Sequence, residues 1–213
     1  GFAENHKKTK IFNNRKNYGN DFKVNCFVKN SEFFKTLKKN KILFPKLIKK
    51  NSLKQTLIKN LKSFGSQNVK KLENKNYNLK KNEYFQELID GKRISVQFIS
   101  KIHQLRIISV CDQVLKKKTF FIDYLITKRL SKKKQNQIYT LVKKIVKIFN
   151  LKGINNIDII DKKNKLYLIE INSRPGLSSN IIYKINKSPF IQNKNNLQNN
   201  LLATKIIYSS KQI

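Results

Sequence analysis

Methionine is absent from this sequence of 213 residues, which begins at Gly1. Translation starts with methionine, so the expectation is a fragment or a processed product. Cysteine is nearly absent: Cys26 and Cys111 lie far apart and form no Cys-x-x-Cys pair. That argues against a zinc site or a disulfide framework and suits two reduced thiols in a cytoplasmic protein. Long apolar runs are lacking too. A stretch such as Leu166–Ile169 falls far short of the roughly twenty residues that cross a bilayer, so no membrane partner is expected. Residues 1–20 are polar and Asn-rich, without the apolar segment of a secretory signal. Acids are scarce: Asp and Glu number 12 against 47 Lys and Arg, a formal charge of +35.

A charge of that size invites a nucleic-acid partner. The kind of cation argues otherwise. Arg occurs only at positions 15, 93, 106, 129 and 174 and Ala only at 3 and 203, whereas Lys, Asn and Ile abound. Lys, Asn and Ile have A/T-rich codons, while Ala and most Arg codons are G/C-rich, so genome composition accounts for the pattern. Nucleic-acid readers also favour Arg for bidentate contacts. The positive field would still draw in anionic nucleotides.

Periodicity predicts a helix over 31–40, with Ser31 as its N-cap and Phe33, Phe34 and Leu37 on one face, ended before Pro45. Short strands are expected around Leu47–Ile48 and Leu57–Ile58, and a Lys/Asn-rich loop over 70–82. An apolar piece at 84–89 runs into the turn signal Asp90-Gly91. Two strands follow at 94–100 and 105–110; Arg106 and Gln113 on this sheet either face a substrate or, as charged residues mostly do, form a solvated strand face, the reading preferred, and His6 and His103 are surface residues. Ile138, Leu141, Val142, Ile145, Val146 and Phe149 form the apolar stripe of a helix over 132–149, with Gly153 as its stop. Strands at 154–160 and 166–171 are joined by a polar turn at 161–165, and Ser178-Ser179-Asn180 offers a cap for a further helix. The tail 186–200 reads as loop, and 201–208 as ordered again.

The chemistry concentrates in IDIIDKKNKLYLIEINSRPG. Asp158 and Glu170 sit on successive strands joined by a tight turn, so antiparallel pairing can bring both carboxylates together. Asn172 lies two residues beyond Glu170, and strand alternation points it to the same face. Two carboxylates and a neutral oxygen ligand suit a hard cation such as magnesium bridging to phosphate. Arg174, two further on, is expected on that face as well, as a phosphate or acyl phosphate ligand.

Segment 154–176 resembles the C-terminal signature of ATP-grasp enzymes, in which an acid on one strand precedes an apolar strand ending in Glu-x-Asn-x-Arg. Here these are Asp158 and Glu170-Ile-Asn172-Ser-Arg174. Thr56-Leu-Ile-Lys59 followed by Ser63-Phe-Gly65-Ser66 looks like the strand whose Lys touches the nucleotide phosphates and the loop that covers them. Gln86, Glu87, Leu88 and Ile89 look like the hinge lining the adenine pocket, and Ala203–Tyr208 like a strand found after the core in some members. The covering loop holds one glycine, Gly65, with Ser66 and Gln67 where glycines are common, and Arg93–Ser95 stands where an acid for the ribose is expected. The resemblance spans roughly residues 28–180. It is strongest to predicted ATP-dependent carboligases related to biotin carboxylase, and looser to carboxylate–amine ligases.

The resemblance implies an α+β fold of two lobes gripping the nucleotide between antiparallel sheets. Residues 1–27 would be a remnant or linker, 28–91 the small lobe, 92–185 the large lobe with the metal site, and 186–213 an extension. Its cofactors would be ATP and Mg2+, with Mn2+ as a substitute. It would use them to activate a small-molecule carboxylate as an acyl phosphate for attack by an amine, and a homodimer is compatible with it. Asp158, Glu170 and Asn172 would hold metal; Lys59 and Arg174 would be catalytic; Lys59, Gly65, Ser66 and Gln86–Ile89 would bind nucleotide. A weak or inactive relative of such ligases, or a basic nucleic-acid-binding module, stays open as an alternative.

Overall fold

The computed structural model describes residues 19–28, 30–49, 55–61, 66, 68–74, 76–101, 104–186 and 202–207. Short helices α1 (Phe22–Phe27) and α2 (Glu32–Lys39) precede strands β1 (Leu47–Ile48), β2 (Thr56–Asn60), β3 (Lys70–Lys71) and β4 (Glu83–Glu87). Then come β5 (Lys92–Lys101), β6 (Gln104–Leu115), β7 (Ile122–Thr127), α3 (Lys132–Phe149), β8 (Gly153–Lys162), β9 (Lys165–Asn172), α4 (Ser179–Asn186) and β10 (Ala203–Lys205). The strands form a four-stranded sheet in the order β1-β4-β2-β3 and a six-stranded sheet in the order β10-β7-β6-β5-β8-β9. Every pairing is antiparallel. The architecture is α+β, as expected.

Alternation on β5 explains the layering. Ile94, Val96 and Phe98 point to one face and are almost fully buried with Ile138, Val142 and Ile145 of α3. Ser95 and Gln97 point to the other face and are buried as well. Helix α2 lies within the expected small lobe, yet Phe33, Phe34 and Leu37 share the core of the six-stranded sheet, and the Phe33 and Phe149 rings are 5.5 Å apart.

Two helix ends differ from the sequence reading. Ser31 precedes α2 in a helical conformation without capping it; instead Asn30 Oδ1 accepts from the Glu32 N–H at 3.3 Å. Helix α3 is capped by Ser131, which accepts from the Lys134 N–H. It stops at Asn150, which takes the left-handed conformation (φ 48°, ψ 46°) that Asn tolerates, three residues before the expected Gly153. Gly153 opens β8 with φ 69°. The expected loop at 70–82 begins with β3, which pairs with β2. Strand β7 and helix α1 carried no clear signal. Within the expected ordered segment 201–208, β10 pairs with β7.

The chain leaving β4 passes close against β8. A Cβ at Gly91 would lie 2.6 Å from Ile160 Cγ2 and 2.8 Å from the Asp161 carbonyl oxygen. Gly91→Ala is therefore expected to destabilise the protein by about 1–3 kcal/mol through overpacking. A urea midpoint equal to that of the parent protein would show that β8 yields at no cost.

Candidate functional site

A cleft opens between the two sheets. The four-stranded sheet contributes Leu57, Lys59, Tyr84 and Gln86, continued by Glu87, Leu88 and Ile89. The six-stranded sheet contributes Arg93, Gln113, Asp158 and Glu170. The placement follows from register: Lys59 is opposite Tyr84 on β4, and Asp158 is opposite Glu170 on β9, with the β8–β9 ladder shifting just past Asp158.

Asp158 is the most heavily engaged residue of the cleft. Its Oδ1 accepts from Gln113 Nε2 at 2.7 Å and Asn156 Nδ2 at 3.2 Å, and its Oδ2 from Asn172 Nδ2 at 3.4 Å. Burial, and then the negative charge of Glu170, push its carboxyl up to about 6, while hydrogen bonds from Asn156, Ser95 and Gln113 pull the other way. Burial and the Glu170 charge also raise the Tyr84 phenol, which keeps it neutral across the cleft. Among the described residues no group of three or more His, Cys, Asp and Glu side chains gathers for a metal. The donor set is two opposed carboxylates and the Asn172 amide, and two acids facing each other at this register fit a divalent cation that would relieve their repulsion.

The other expected residues divide. Lys59 and Ser66 line the cleft, and Ser66 holds a left-handed φ of 65° at a position where a glycine was expected. Gly65 and Gln67 lie outside the described residues, as do His6 and His103. Gln86 is buried and donates to the Pro45 carbonyl at 3.1 Å, which ties the hinge to the preceding segment. The Glu87 N–H donates to Lys46 O at 2.9 Å and the Leu88 N–H to Gln55 O at 2.6 Å, so both are spent inside the protein. Arg174 lies outside the cleft lining and donates to the Pro175 carbonyl at 3.2 Å. Strand β9 ends at Asn172, so the alternation expected to carry Arg174 to that face stops before reaching it.

Gln113, for which a solvated strand face was preferred over a substrate-facing one, lines the cleft and donates to Asp158. Strand β6 runs to Leu115, beyond the predicted 110, and reading alternation through it would have put Gln113 beside the acids. Arg106, grouped with it, does not line the cleft. Arg93, Tyr84 and Asn156 were not expected as site residues.

A sequence profile described as an ATP-grasp domain matches residues 29–178. The chain belongs to the ATP-grasp family. No curated protein matches it in sequence. In structure, this ATP-grasp chain is similar to a putative ATP-grasp superfamily protein from Archaeoglobus fulgidus (TM-score 0.66, 17% identity, 86% of this chain and 56% of that one). It is also similar to an L-amino acid ligase from Bacillus licheniformis (TM-score 0.63, 17% identity, 78% and 45%). A third is a biotin carboxylase from Campylobacter jejuni in complex with β,γ-ATP (TM-score 0.70, 15% identity, 86% and 49%). The chain thus spans about half the length of these neighbours.

The raised Asp158 carboxyl has a signed consequence for the metal-free domain. The folded state holds this proton up to about pH 6 and the unfolded chain only to about 3.8. The group's favourable contribution is full below about 4 and is lost as pH rises through 6. Asp158→Asn is therefore expected to gain stability on the order of 1–3 kcal/mol at neutral pH without metal, a gain that shrinks on acidification toward pH 4. Melting curves across that range decide it, and no gain at neutral pH would contradict the buried-charge account.

Proposed function

We propose that the cleft binds ATP with Mg2+, with Mn2+ as a substitute, and that the chain is the nucleotide-binding part of a carbon–nitrogen ligase. Such a ligase activates a small-molecule carboxylate as an acyl phosphate and passes the acyl group to an amine. The observation that carries the reading is the Asp158–Glu170 pair, opposed across one ladder on the cleft wall that faces Lys59. Family membership and neighbours named as a ligase and a carboxylase support it.

In this reading Asp158, Glu170 and Asn172 hold the cation, which supplies charge neutralisation for the phosphate chain. Lys59 adds a positive charge from the opposite sheet. Leu57, Ile89 and Ile160 give apolar contact to the base, and its edge falls to the hinge carbonyls and the Ile89 N–H, because the Glu87 and Leu88 N–H groups are already engaged. Ser66 belongs to the loop covering the phosphates. Arg174 would act on the transferring phosphoryl group only after the turn beyond β9 swings it inward. Catalysis by these residues is positioning and charge neutralisation.

Saturating ATP with Mg2+ is expected to raise the melting temperature by roughly 5–10 °C, as for a ligand near one hundred times its Kd on a domain of this size. Glu170→Gln should abolish the rise, and phosphate release should require an added carboxylate. The reading fails if ATP with Mg2+ leaves the melt unmoved, or if Glu170→Gln responds like the parent protein.

A further inference from the structure

Arg93 is the cleft cation that the sequence reading did not use. It stands two residues past Gly91 on β5, opposite Ile160, and Ser95 two residues further along is opposite Asp158. Arg93 therefore lies between the hinge at 87–89 and the acid pair, on the same wall of the cleft. Its guanidinium rests over the Phe120 ring at 5.6 Å, a stacking contact that fixes a planar cation while leaving its N–H edge available. The side chain is half-buried. Burial lowers its pKa, and the charge of Asp158 partly restores it. It is not a member of the ion pairs Lys35–Glu32, Lys128–Asp112 and Lys134–Asp161. A half-desolvated guanidinium that lines the cleft, and that Asp158 reaches through its charge, can take a further anion.

We infer that Arg93 is a specificity-determining residue that binds the 5′-phosphate nearest the sugar of a nucleoside phosphate. The inference rests on the nucleotide reading above. A base at the hinge and a phosphate chain ending at Asp158 and Glu170 leave the sugar and first phosphate at the level of Arg93. An acid there would bond a ribose hydroxyl; a guanidinium instead favours the anionic group beside it. Recognition then extends to nucleoside monophosphates and does not need the divalent cation, unlike contacts made through the acid pair.

The test compares adenosine, AMP and ATP without metal, by calorimetry, for the parent protein, Arg93→Gln and Arg93→Lys. Removing a charge-assisted bond should weaken AMP binding by roughly tenfold or more in Arg93→Gln and leave adenosine binding within about twofold. Arg93→Lys keeps the charge without the bidentate edge and should fall between them, and it carries the comparison if Arg93→Gln does not unfold cooperatively. Equal AMP affinity in the parent and the variant, or an equal loss for adenosine, would overturn the assignment. Failure of every ligand, ATP with Mg2+ included, to bind the parent protein would instead sink the nucleotide reading itself.

Discussion

Two carboxylates facing each other across one ladder set the terms for the rest of the cleft. Asp158 and Glu170 would repel in any sheet, and here burial around Asp158 weakens the screening by water. The surroundings answer in two ways. Amide donors from Gln113, Asn156 and Asn172 converge on Asp158, and the cations Lys59 and Arg93 sit across and along the cleft. Burying Asp158 beside a second carboxylate costs the fold stability at neutral pH, as its raised carboxyl shows.

One donor to Asp158, Asn156, is itself held, and a second polar cluster lies beside it at the start of α4. Ser95 donates to Asn156 at 2.8 Å, and the buried Gln97 accepts from Gly176 N–H, Ser178 and Ser179 through one oxygen. Asn156 therefore meets Asp158 from a fixed position. Such a network confers precision more than stability, because each buried polar atom must find its partner. The opposite face of the same strands is mainly apolar and packs against α2 and α3, with the buried Ser100 and Asn155 at its far end hydrogen-bonded to backbone carbonyls. One sheet thus carries the main core on one side and the polar cleft wall on the other.

Much of this was legible in the sequence, because two signals are strong there. The stripe from Ile138 to Phe149 has a clean helical period, and the α3 boundaries agree with it. The paired strands around a polar turn foretold that Asp158 and Glu170 would meet, since a hairpin with a short connection has little freedom in register. What was lost depended on strand ends and on neighbours distant in sequence. Gln113 was misjudged because β6 was read as too short, and Arg174 because β9 was assumed to continue. Ser31 resembled a cap, but the adjacent Asn30 took that role. Arg93 could not be recognised without knowing that Phe120 lies beneath it.

Two glycines described above share a neighbour. Gly91 is pressed against Ile160 and Asp161, and Gly176 against Asn156, where an added Cβ would come within 2.7 Å of the side chain. Both contacts fall on β8, one on each side of Asp158. The strand is clamped like a beam at two supports, with the Asp158 carboxylate at mid-span. Evolutionary drift at either glycine would therefore be felt as displacement of that carboxylate, even though neither glycine carries a functional group.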